Sequence, residues 1–197
     1  MIKIYLGCGQ IPKEGFINVD RRKPTNLPEG TEFLEADAFD IGMHFEPETV
    51  DLIRAEMLLE HVPQVLIPEL LYQFWNVLKP GGRLELLTPD FLAIAREAVK
   101  MEDEKSYDRT KFEKMAQILM NSFAGMGFED CHKALISRAY LQDILESEGF
   151  TDIKFKNTGT YGWGLIAVAK KGEHVDRPSL RDVEYSIEES SEGEKKK

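Results

Sequence analysis

The sequence is poor in the residues that staple, span or ligate. Only two of its 197 residues are cysteine, Cys8 and Cys131. That excludes a disulfide framework and leads us to expect a reducing, cytoplasmic compartment. No apolar run approaches the roughly eighteen residues of a membrane span, so no membrane partner is expected. No secretory leader pattern opens the chain. The four histidines show no metal-ligand spacing, so no metal site is expected. Positive charge is in deficit, with 25 Lys and Arg against 35 Asp and Glu and a formal net charge of −10. Nucleic-acid binders ordinarily carry a basic face, so this balance argues against a nucleic-acid partner. No internal repeat is visible.

What is present is ordinary in amount and specific in arrangement. At 42% hydrophobic and 30% charged, the chain reads as one globular domain with enough volume for a core. Its first twenty residues organise the rest. Ile2, Ile4 and Leu6 alternate with other residues and stop at Gly7-Cys8-Gly9, the pattern of a short strand ending in a tight turn. Glycine there lets the backbone bend and leaves no side chain between main chain and ligand. A second apolar run, Phe16 to Val19, ends on Asp20. In nucleotide-binding sheets an acid at the carboxyl end of the second strand accepts hydrogen bonds from ribose hydroxyls. Strand, glycine turn, strand and acid therefore point to a cofactor that contains a nucleoside.

The spacing departs from the dinucleotide pattern. Pro12 stands where the third glycine would be, and Asp20 follows Gly9 by eleven residues where about twenty is usual. A crossover normally takes a dozen residues or more, so the first helix must be cut to about one turn. Residues 21–30 hold two prolines and no helical period, so the second crossover helix is lost as well.

In this form the chain resembles the class I S-adenosylmethionine-dependent methyltransferases, and most of all a subgroup with an abbreviated first helix. Leu6-Gly7-Cys8-Gly9, Gly15 and Ile17-Asn18-Val19-Asp20 look like the family's first motif. Leu34-Glu35-Ala36-Asp37-Ala38 looks like the segment that binds adenine after strand three. Val50–Ile53 with Leu59-Glu60-His61-Val62, and Leu78-Lys79-Pro80-Gly81-Gly82-Arg83-Leu84, look like the fourth strand with its following helix start and the turn before strand five. The likeness runs over residues 1–170. It implies an α/β, Rossmann-like doubly wound sheet of about seven strands, mostly parallel with an antiparallel last strand, the first two crossover helices reduced. It implies S-adenosyl-L-methionine as cofactor, with Gly7, Cys8 and Gly9 at its methionyl part, Asp20 on the ribose, and Asp37 and Ala38 on the adenine. Asp37 is also placed to cap the next short helix.

Further elements follow the same order. Residues 31–34 read as strand three and 50–54 as strand four, with Glu56 just beyond it as a candidate cofactor or substrate contact. Residues 63–78, with Val65, Leu66, Leu70, Leu71, Phe74 and Val77 at helical spacing, predict a helix that Lys79-Pro80-Gly81-Gly82 stops. Residues 83–88 predict a central strand, followed by Asp90 at the cleft edge or capping a helix. Stretches 90–101 and 108–123 predict two amphipathic helices. By family likeness, 91–136 is a substrate lid that includes the loop Gly125–Asp130. Ser137 caps a helix that Gly149 ends, and 153–156 with 164–169 predict a terminal hairpin. Residues 172–197, with eight acids against five bases, read as an acidic, disordered tail after a domain of residues 1–171.

Two histidines are candidate catalytic residues, because imidazole titrates near neutral pH. His61 lies one turn past strand four. His132, with Lys133, resembles a histidine-lysine pair of the same subgroup and is the preferred proton acceptor. Both can instead be structural. The cationic run Arg21-Arg22-Lys23 either lies near the cofactor or substrate or is a solvated loop. The expected activity is methyl transfer to a small molecule such as a sugar. The alternatives are an RNA or protein methyltransferase and a non-catalytic nucleoside-binding subunit. The sheet face left open by the missing helices leads to the expectation of a homodimer or partner protein there.

Overall fold

The structure, a computed structural model, describes residues 1–120, 131–159 and 162–172. The expected tail, the loop Gly125–Asp130 and Phe123 of the expected lid lie outside the described residues.

Seven strands form one sheet: β1 (Lys3–Leu6), β2 (Ile17–Asp20), β3 (Phe33–Glu35), β4 (Val50–Glu56), β5 (Leu78–Pro89), β6 (Phe150–Thr158) and β7 (Gly164–Lys171). Their order is β3-β2-β1-β4-β5-β7-β6. β1 to β5 pair in parallel, and β7 runs antiparallel between β5 and β6. This is the Rossmann-like arrangement expected, and the strand order reverses between β1 and β4. Such a switch point opens a crevice at the carboxyl ends of the strands.

One face of the sheet holds the core. Ile4, Leu6, Ile53, Ala55, Leu84 and Leu86 point into it at period two and are buried. Against them pack Leu70, Leu71 and Phe74 of α2 (Ile67–Val77), and Leu141 and Leu145 of α5 (Arg138–Ser147). α5 starts where expected, at Ser137, whose hydroxyl accepts from Tyr140 N at 3.2 Å. A four-residue α1 (Ile41–His44) completes this layer, while α3 (Phe91–Asp103) and α4 (Arg109–Met120) share a smaller cluster with Trp163. No helix among the described residues is long and apolar enough to cross a membrane.

Among the described residues no helix joins β1 to β2 or β2 to β3. Buried Asn18 does the bracing instead. Its amide oxygen accepts from Lys13 N at 2.7 Å, and its amide nitrogen donates to the carbonyls of Lys13, Phe16 and Glu32. One fully satisfied side chain thus ties both shortened crossovers to β2. The sheet face they leave uncovered carries an ion pair of its own, Arg54 with Glu85, and one to the first crossover, Glu56 with Lys13.

Several boundaries differ from expectation. The helix predicted at 63–78 begins at Ile67, after 3-10 turns at Leu59–His61 and Gln64–Leu66. Val65 is therefore 78% exposed rather than core. Pro63 holds extended backbone and Pro68 sits in the first helical turn, where a missing N–H costs nothing. β3 is Phe33–Glu35 rather than 31–34, and both hairpin strands are longer than predicted. β5 starts at Leu78, with Lys79 to Gly82 bulged out between the pairs Val50↔Leu78 and Leu52↔Arg83. The expected turn is thus an interruption inside the strand rather than its beginning.

Candidate functional site

The carboxyl ends of β1, β2 and β4 border a cleft of about 600 Å³. One wall is built from turns. Leaving β1, Gly7 donates its N–H to Val19 O at 2.9 Å, and Ile11 closes a turn onto Cys8 O. Both glycines lie in the left-handed region, Gly7 at φ 65° and Gly9 at φ 52°, which other residues enter at a cost of about 1–2 kcal/mol. A side chain built on Gly7 would meet Leu58 at 3.2 Å, whereas the space over Gly9 is open.

Asp20 fixes this turn. One carboxylate oxygen accepts from Gly9 N at 2.8 Å and the other from Arg22 N at 3.1 Å. A carboxylate offers about four lone-pair sites, so capacity remains for hydroxyl donors in the cleft. Asp37 follows β3, the neighbour of β2, and caps the next short turn, accepting from Phe39 N at 3.0 Å. Asp37, Ala38 and Phe39 all line the cleft. Capping and cleft placement therefore coexist at Asp37.

The opposite wall follows β4. Met57 is held at φ 53° while its N–H donates to Leu87 O at 2.7 Å, a strained non-glycine conformation of the kind that clusters at functional sites. The chain then makes the 3-10 turn Leu59–His61. The segment Cys131–Ile136 is laid against that turn, because Lys133 N and Ala134 N both donate to Glu60 O. This pairing brings His132 beside residues from which it is distant in sequence. The rings of His61 and His132 meet edge to face, with centroids 4.8 Å apart. His132 Nε2 lies 4.0 Å from Glu60 Oε1. Glu60, His61 and His132 offer ligand atoms within 4.8 Å of one another, a juxtaposition that the spacing of the histidines does not reveal.

This group is buried in an unusual way. Glu60 is 1% exposed. Its Oε2 accepts from the Thr88 hydroxyl at 3.1 Å, while Oε1 finds no hydrogen-bond partner among the described residues. An orphaned buried oxygen costs about 1–3 kcal/mol, and more when charged. Burial pushes the Glu60 carboxyl up to about 7. Burial, and secondarily His61, push His132 down to about 4, with opposing hydrogen bonds to the Leu119 and Ile118 backbone.

The expected site residues therefore divide. Gly7, Gly9, Asp20, Asp37, Ala38 and His61 border the cleft. Cys8 does not. Its side chain is 3% exposed behind the turn, and burial, helped by Asp20, pushes its thiol up to about 11. Glu56 does not either. Strand alternation turns it to the helix-free face, where it accepts from the Tyr5 hydroxyl and pairs with Lys13. His132 stands behind His61, its side chain 6% exposed. Asp90 is a buried cap of α3 and accepts from Asn157, rather than a cleft residue. Arg21 and Arg22 reach the cleft wall, which their loop composition left open. Gln10, Phe39, Leu58 and Val62 also line it without any local signal, because tertiary placement alone puts them there, and so does Lys133 of the histidine-lysine pair.

A family model described as a methyltransferase domain matches residues 10–154. No curated protein matches by sequence. Among solved structures, a possible exported protein from Bordetella parapertussis is 19% identical, with a TM-score of 0.61 over 87% of this chain and 62% of that one. A SAM-dependent methyltransferase from Archaeoglobus fulgidus is 16% identical, with a TM-score of 0.58 over 86% of this chain and 85% of that one. A 1,6-didemethyltoxoflavin-N1-methyltransferase from Burkholderia thailandensis, solved with 1,6-didemethyltoxoflavin and S-adenosylhomocysteine, is 14% identical, with a TM-score of 0.59 over 87% and 71%. At these identities the structural likeness establishes the fold.

Proposed function

The chain belongs to the class I S-adenosylmethionine-dependent methyltransferases, and from that premise we propose that its cleft binds S-adenosyl-L-methionine and methylates a small molecule such as a sugar. The observation that carries this reading is the turn wall. Open space over Gly9, spare acceptor capacity on Asp20, and Asp37–Phe39 lining the same cleft fit an adenosyl group with its ribose on Asp20. The cofactor, when bound, supplies a methyl group on a sulfonium whose leaving group is neutral. The chain's own task is then mostly alignment, which for well-oriented partners is worth up to about 7–11 kcal/mol.

Gly7 and Gly9 let the backbone approach without side chains between. Asp20 holds the turn and receives hydroxyl donors. Arg21, Arg22 and Lys133 put positive charge on the wall, which favours an acceptor bearing phosphate or carboxylate, as a sugar nucleotide does. His61, the imidazole bordering the cleft, marks where the acceptor's proton leaves. A cytoplasmic location accords with two free cysteines, one of them buried.

Titration calorimetry of the full chain with S-adenosylmethionine tests the cofactor, and methyl-release assays against a panel of sugar nucleotides and small amines test the acceptor. Saturable binding with turnover on one panel member is the expected result. Turnover only on RNA or protein would move the acceptor to a macromolecule, and no binding would end the reading.

A further inference from the structure

Glu60, His61 and His132 form a cluster whose chemistry exceeds what a simple base needs. The two imidazoles and the carboxylate converge from the 3-10 turn after β4 and from the segment before α5, and their ligand atoms lie within 4.8 Å of one another. Two features distinguish the cluster from a packed polar core. Glu60 Oε1 is buried and unpartnered among the described residues, on the side of His132 Nε2. Glu60's other oxygen is fixed by buried Thr88. An outer partner of this kind, a hydroxyl on the carboxylate, is what orients a metal ligand.

We infer that Glu60, His61 and His132 bind a divalent transition cation of the zinc class, with an open coordination position facing the cleft beside His61. Two nitrogens and one carboxylate oxygen suit zinc and its neighbours, and not magnesium or calcium, which take oxygen ligands almost exclusively. A tetrahedral ion with bonds of about 2.1 Å needs ligand atoms about 3.4 Å apart, so closing the cluster takes shifts of about 1 Å. The ion supplies the missing partner of Glu60 Oε1. Three protein ligands leave a fourth position, and only His61 of the three borders the cleft, so that position opens there.

The substrate class follows, and this step rests on the methyl-transfer reading. An oxygen acceptor, an alcohol or phenol, coordinates at the open position. Its O–H pKa falls, as that of zinc-bound water does, and its proton passes to solvent water. A hydroxyl is thus favoured over an amine, which is already nucleophilic when neutral.

The test uses the full chain, freed of metal by dialysis against a chelator and titrated with zinc chloride by calorimetry. Bound zinc is counted by elemental analysis, and cobalt substitution gives visible absorption bands that report nitrogen and oxygen ligands. One zinc per chain is expected. His61→Ala, at a half-buried position that tolerates truncation, and His132→Gln should each weaken zinc binding at least about tenfold. S-adenosylhomocysteine titrated into the wild-type chain with and without zinc should bind with the same affinity. No zinc binding by a folded chain, or equal binding by the wild type and both variants, would overturn the site. Loss of S-adenosylhomocysteine binding with zinc binding intact would strike the cofactor reading alone.

Discussion

The two walls of the cleft are built on opposite principles. The wall from β1 to β3 is backbone: two glycines at positive φ, N–H groups pinned by Asp20, and short turns capped by carboxylates. The wall after β4 is side chain: the His61 imidazole, backed by Glu60 and by His132 from the segment before α5. The first wall is suited to a constant ligand, because main-chain geometry changes little with surface sequence. The second gathers titratable side chains that a substitution can tune without disturbing the first. On the proposed function the first wall binds the cofactor and the second meets the acceptor, so substitutions on one wall should leave the other's readout alone.

The largest expected effect is on the side-chain wall. His132→Gln should lower turnover by about 10²-fold, as the loss of a group that holds the metal does, with cofactor affinity near that of the wild type. Steady-state kinetics beside calorimetry checks this, and equal losses in both would merge the two walls. On the backbone wall, Asp20→Ala should weaken S-adenosylmethionine binding at least about tenfold, since it removes a charged acceptor and frees Gly9 N. Unchanged affinity would remove the ribose assignment. Gly7→Ala should destabilise the fold by about 1–2 kcal/mol through its positive φ, read as a shift in the urea midpoint. The smallest effect belongs to Cys8→Ala. Its thiol lies behind the turn, so cofactor affinity should stay within about twofold, or 0.4 kcal/mol. A larger change would mean that the side chain, and not only the backbone, meets the ligand.

The two walls also differed in how legible they were. The backbone wall is written in local signals. Strand alternation, two glycines and an acid at a strand end pointed to Gly7, Gly9 and Asp20, the family resemblance added Asp37 and Ala38, and all five border one cleft. The absent crossover helices were readable too, from Pro12 and from the eleven residues between Gly9 and Asp20. The bracing role of Asn18 was not, since four hydrogen bonds to two separate crossovers leave no periodic trace. Glu56 was misread because its distance along β4 was judged without the face it occupies, and the pleat turns it to Tyr5 and Lys13. The side-chain wall was nearly invisible. Glu60 and His61 are adjacent, His132 is remote, and no ligand spacing links them. Two backbone hydrogen bonds to Glu60 O create the cluster, and such tertiary pairings have no signature in local sequence.

The central claim is that the turn wall holds an adenosyl group, and the most direct measurement is a crystal structure of the full chain with S-adenosylhomocysteine. The account expects ribose hydroxyls on the Asp20 carboxylate and the adenine beside Asp37, Ala38 and Phe39, with the Gly7–Gly9 backbone against the homocysteine part. A nucleoside bound elsewhere, or that space filled by the chain's own side chains, would contradict it.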